Sequence, residues 1–167
     1  MPILNELSNT VKRQRSEMGL SQERLAELTG LSHTTINELE MGKLADLSLT
    51  CAERLVNTLG FGLGVTGTRK AESDRDVVGA LETAARSGSI SYRDTIPTET
   101  LRHALVTGVV SPNYLPQLRA LLDEAPLRVL SAAVAQIEVE NKVPREATWQ
   151  RMRQLAAAMA CTRGIWL

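Results

Sequence analysis

The chain has 167 residues, 43% apolar and 23% charged, a globular composition that excludes an intrinsically disordered protein. Nineteen basic residues balance nineteen acidic ones, and residues 1–70 hold eight of each sign, so bulk charge gives no support for a nucleic-acid partner, and local arrangement must carry any such role. Two cysteines without a CxxC pair, no apolar run near ~18 residues and an N-terminus without a signal-like apolar core exclude a disulfide framework, a zinc cluster and a membrane span, and the expected location is the cytoplasm.

Aromatic residues are only 3%, and the apolar content is mostly Leu, Ala and Val, which favours helices over sheets and predicts an all-α chain. The first helix is expected from residue 3 to about 18, with Leu4, Leu7, Val11 and Met18 on one face and Gly19 ending it. Ser21 is a good N-cap for a second helix from Gln22 to about Thr29, burying Leu25, Ala26 and Leu28. Gly30 breaks it, and Ser32 caps a third helix from His33 to about Met41, with Ile36 and Leu39 inward. Gly42 stops the third helix. A fourth follows, with Leu49, Ala52, Leu55, Val56 and Leu59 on one face and either Ser48 or Thr50 as cap.

From Gly60 to Ser73 the texture changes to "GFGLGVTGTRKAES", read as a short strand or extended segment and a linker over 63–73. Its G-x-G spacing is not a phosphate loop, because no Gly-Lys-Ser/Thr follows. Residues 74–167 read as a second helical region. Its first helix should start at a Ser73 cap and stop at Gly88; the next is "PTETLRHALVTG". A third should open on Ser111 and Pro112, and "LRVLSAAVAQIEVENK" and a helix opened by Pro144 complete the set. Small residues at helical spacing suit a dimer surface as well as a monomer core.

The stretch from Gln22 to Leu39 carries the chemistry. Two short helices joined by three residues, with glycine first in the turn, form a helix-turn-helix pattern. The turn needs a positive φ, which Gly30 adopts without steric cost. Ala26 allows the two helices to approach, while Leu25, Ile36 and Leu39 fix their crossing. Thr and Asn are mediocre helix formers, but as short donors and acceptors they suit base edges and phosphates.

Through "GLSQERLAELTGLSHTTINELEMGK" and "LSLTCAERLVNTLGF", residues 4–61 resemble a lambda-repressor-like, Xre/Cro-type DNA-binding domain. The resemblance implies an N-terminal lambda-repressor-like domain of four to five helices over residues 1–62; the C-terminal helical domain over 74–167 is read from its own helix signals and resembles no family. The resemblance also implies roles by position. Gln22 is expected to bond a DNA phosphate at a helix N-terminus. His33, Thr34, Asn37 and Glu38 are expected to face base edges in the major groove. Ser32, Thr35 and Lys43 complete the expected DNA-binding set, and Arg15 and Glu40 match an ion pair that ties the first helix to the third. The sequence departs from the family in lacking a basic residue at His33 and Glu38 and in carrying Met41, which lowers nonspecific affinity. Binding as a homodimer to two half-sites would compensate.

Neither histidine, His33 or His103, lies near a cysteine at metal-ligand spacing, and no nucleophile-elbow or other catalytic spacing occurs. No enzyme activity, cofactor or metal is expected. Trp149 and Trp166 either anchor the C-terminal core or form a docking surface. The resulting expectation is a transcription repressor of double-stranded operator DNA. In a more specific form it is the antitoxin and autorepressor of a companion toxin protein; the alternative is a protein-interaction adaptor with the helix-turn-helix as scaffold.

Overall fold

A computed structural model describes residues 2–64 and 79–166, and the chain divides into two compact units, residues 1–66 and 67–167. All regular elements among the described residues are helical. Most of the expected linker, together with the Ser73 cap, falls in 65–78, outside the described residues.

The first unit contains α1 (Pro2–Glu17), α2 (Gln22–Thr29), α3 (His33–Glu40) and α4 (Leu49–Thr58). Three serines start three of these helices. The hydroxyls of Ser21, Ser32 and Ser48 accept from the backbone N–H of Arg24, Thr35 and Cys51 at 3.0, 3.0 and 3.2 Å. Each such cap satisfies an orphan donor and contributes about 1 kcal/mol. Ser48, not Thr50, is thus the cap of α4. Gly30 ends α2 at φ +64°, a left-handed conformation that costs a residue without Cβ nothing. Val11, Leu25, Ile36, Leu39, Leu55 and Leu59 form the centre of the core.

Two expectations need correction here. Leu49 is 75% exposed, because it is the first residue of α4 and faces outward while Ala52, Leu55, Val56 and Leu59 face in. Leu4, Leu7 and Leu28 are only half-buried, and Thr29 takes the inward place on α2, its hydroxyl donating to the Leu25 carbonyl at 2.7 Å. Residues 61–64 follow α4 without regular secondary structure, so the described part of the first unit has the lower of the two expected helix counts, four.

The second unit holds α5 (Ala80–Gly88), α6 (Thr98–Thr107), a 3₁₀ turn (Pro112–Tyr114), α7 (Leu115–Glu124), α8 (Leu127–Asn141) and α9 (Arg145–Ala158). α5 packs on α7 and α8, and α9 packs on α6, α7 and α8. The helix beginning α5 starts later than expected, after Gly79 at φ +92°. Gly79 has no side chain to cap it. Gln136 on α8 supplies that cap instead, its Oε1 accepting from Leu81 N–H at 2.8 Å. Ser111 makes no cap bond, and Pro112 opens the 3₁₀ turn rather than α7.

α5 ends at Gly88, as expected, and the glycine has a packing role there as well. A Cβ there would sit 2.7 Å from the Gln117 carbonyl oxygen and 2.8 Å from Leu121 Cβ, so glycine permits the close α5–α7 approach. Ala84, Ala85, Ala133 and Ala156 are buried, and these small residues serve the unit's own core.

The two tryptophans pack on each other with ring centroids 6.2 Å apart at 41°. Trp166 donates from Nε1 to the Leu122 carbonyl at 2.9 Å. Asp123 Oδ1 accepts from the N–H groups of Thr162 and Arg163, both at 2.9 Å. Of the two readings open for these rings, the structure takes self-packing. His103 is exposed on α6, and no group of three His, Cys, Asp or Glu able to hold a metal occurs among the described residues.

Candidate nucleic-acid interface

α3 is eight residues long, and its inward face is fixed by apolar burial: Ile36 is 0% and Leu39 1% exposed. Helical spacing then turns His33, Thr34 and Glu38 to solvent and leaves Asn37 half-buried beside them. These are four of the side chains expected to face DNA, and they share one face. Ala26, 6% exposed, lies in α2, which packs directly against α3.

Ser32 and Thr35 meet at the start of α3. Their hydroxyl oxygens are 2.8 Å apart, while Ser32 Oγ also accepts from Thr35 N–H. The pair therefore stiffens the first turn of the helix that carries His33 and Thr34. A hydroxyl has one donor and two acceptor positions, so each retains capacity for an outside partner.

Lys43 is exposed after Gly42. Its N–H donates back to the Glu38 carbonyl at 2.9 Å, as does that of Leu44 at 3.2 Å. This turn depends on Gly42 at φ +66°. It places the single cation of the segment at the C-terminal end of α3, which itself carries no Lys or Arg. A Cβ on Gly42 would lie 3.8 Å from Asn5 Oδ1, and one on Gly30 would lie 3.7 Å from an Arg54 guanidinium nitrogen.

Gln22 is half-buried at the first position of α2, and its Nε2 donates to Glu40 Oε2 at 2.9 Å. Glu40 in turn is gripped by Arg15, which donates from Nε to Oε1 at 2.5 Å and from Nη2 to Oε2 at 2.8 Å. Arg15 also donates from Nη1 to the Leu20 carbonyl at 2.7 Å. The Arg15–Glu40 pair that the resemblance implied is therefore present, and Glu40's side chain is 3% exposed. The Gln22 link was not legible in the sequence, because the two residues are eighteen positions apart and only the folded packing of α2 on α3 brings them together.

Burial alone would push the Glu40 carboxyl up. Hydrogen bonds from Arg15 and Gln22, with the positive charges of Arg15 and Lys12, outweigh it and hold the group below its ordinary 4.5. A carboxyl depressed in the folded state stabilises it fully above its unfolded value, and that contribution is lost as pH falls through the folded value. Unfolding followed by circular dichroism is therefore expected to show the first unit weakening below about 4.5. Glu40→Gln should flatten that part of the profile; an unchanged profile would remove Glu40 from the account.

With this geometry in place, the comparisons with known proteins fall on the same segment. The Helix-turn-helix family model matches residues 11–65. An uncharacterized HTH-type transcriptional regulator of Methanothermobacter thermautotrophicus is 42% identical over 50 residues, covering 30% of this chain and 71% of that protein. No solved structure matches the chain, and the second unit has no assigned family from these comparisons. By motif, geometry and relative, the chain belongs to the Xre/lambda-repressor-like helix-turn-helix family of DNA-binding transcriptional regulators.

Proposed function

We propose that the chain is a sequence-specific repressor that occupies operator DNA as a homodimer. The observation that carries this reading is the solvent face of α3, where His33, Thr34, Asn37 and Glu38 stand together while Ile36, Leu39 and Glu40 face inward. In this reading His33, Thr34, Asn37 and Glu38 reach base edges in the major groove. Gln22, Ser32, Thr35 and Lys43 bond the backbone and set the register. Glu38 accepts from a cytosine N4 amine or excludes other bases by repulsion.

The two units support a division of labour: residues 1–62 bind DNA, 63–73 link, and 74–167 provide oligomerisation or partner binding. No helix among the described residues is long and apolar enough to cross a membrane, and the site of action is the cytoplasm. The finer form of the proposal is an autorepressing antitoxin whose second unit binds a companion toxin. The identity of the neighbouring gene product, and its co-purification with this chain, test that form. Met41, 55% exposed beside Glu38, favours a second reading in which the first unit is only a scaffold and the chain is an adaptor.

A His33→Ala, Thr34→Ala double substitution is expected to weaken specific binding by about 2–6 kcal/mol, from about 1–3 per good base contact, without changing the thermal unfolding curve. Both side chains are exposed, so folding should not suffer. Unchanged operator affinity would show that α3 does not read the sequence.

A further inference from the structure

We propose that Glu40 is a positioning residue for DNA-backbone binding: its buried carboxylate holds the Gln22 amide at the first turn of α2 so that the remaining N–H is presented to a phosphate. This rests on the DNA-binding reading above and names a residue that never touches DNA.

The argument starts from the acceptor chemistry. An ionised carboxylate only accepts, whereas a glutamine amide has two donor hydrogens on nitrogen and an acceptor oxygen. Glu40 Oε2 already receives Arg15 Nη2 at 2.8 Å and receives Gln22 Nε2 at 2.9 Å. The flipped amide would set two oxygens against each other, so the carboxylate decides which way the amide faces. One Nε2 hydrogen is spent on Glu40 and the second is left to point elsewhere in the amide plane.

The place where this happens is suited to a phosphate. Gln22 opens α2, whose first-turn N–H groups and dipole favour an anion. Ser21 consumes one of those donors by capping Arg24 N–H at 3.0 Å. The negative charge behind Gln22 does not repel a phosphate strongly, because Arg15 neutralises it through two bonds. A long side chain held in one orientation before binding also loses less rotamer freedom when it binds.

A double-mutant cycle on the full chain tests this, using a mixed-sequence DNA duplex at low salt so that backbone contacts dominate. Glu40→Gln keeps the size of the side chain but replaces one acceptor oxygen with an NH2 donor, so it cannot accept Arg15 Nε, Arg15 Nη2 and Gln22 Nε2 together, and turning its one oxygen to the Arg15 Nε side sets its own NH2 against the Gln22 amide nitrogen. Gln22→Ala and Glu40→Gln are each expected to weaken binding by about tenfold, as for one hydrogen bond to a charged group. The double variant should be weakened by about tenfold as well, because both changes remove one contact. A loss near a hundredfold, the product of independent effects, would overturn the positioning role. A second readout needs no variant: by NMR the Gln22 side-chain amide should be as ordered as the backbone, unlike that of exposed Gln150. A Gln22 amide as mobile as Gln150 would also overturn it. If the wild-type chain binds no duplex, both this role and the DNA-binding reading fail; binding with independent losses sinks this role alone.

Discussion

Glu40→Ala is expected to destabilise the first unit by about 3–5 kcal/mol, the usual cost of leaving one member of a buried ion pair without its partner. Arg15 would keep its bond to the Leu20 carbonyl but lose both carboxylate contacts while its side chain is only 15% exposed. Gln22 would lose its partner as well. A unit of this size has little stability in reserve, since small domains bury a modest share of their surface. The change should therefore bring α1 and α3 apart near room temperature. Circular dichroism during urea unfolding follows all helices, whereas tryptophan fluorescence reports the second unit, where both tryptophans lie. The expected result is an early loss of helix signal that precedes the fluorescence change. A helix signal that unfolds as in the unmodified chain would show that the ion pair is replaceable by packing alone.

Trp149→Ala carries the second large effect, about 3–5 kcal/mol from lost burial and the cavity left behind. Trp149 is 2% exposed, and its ring is the one Trp166 packs against. Removing it leaves Trp166 tied by its bond to the Leu122 carbonyl but without its aromatic neighbour. The expected result is a lower urea midpoint for the second unit and a red-shifted emission from the remaining tryptophan. Trp149→Phe, which keeps most of the apolar area, should recover much of the loss. A midpoint unchanged by Trp149→Ala would contradict the core role and revive the docking reading.

Much of the first unit was legible because its signals are local. Ser21, Ser32 and Gly30 sit within a few residues of the turns they define, and each obeys a rule that needs no tertiary information. The inward face of α3 followed from the spacing of Ile36 and Leu39. What the sequence hid were interactions across long separations. Gln136 capping α5 lies fifty-five positions from Leu81, a separation that no local sequence signal spans. Gly88 was read as a helix stop and α5 does end there, but the close approach of α7 that it also permits is shown by no local pattern. Leu49 misled for a different reason: the apolar period reached one residue too far, into the first turn of α4, where the helix has no core beneath it. The site shows the same division, with α3 readable from local spacing and the Gln22–Glu40 bond visible only after folding.

The central claim is that α3 reads DNA sequence, and it is tested most directly by titrating the chain against a duplex from upstream of its own gene and a scrambled duplex of the same composition. Across a range of salt, the upstream duplex is predicted to bind tighter by about a thousandfold or more. Both affinities should fall as salt rises, because phosphate contacts release counterions. Equal affinity for the two duplexes, or none for either, would contradict the claim and leave the helix-turn-helix as a scaffold.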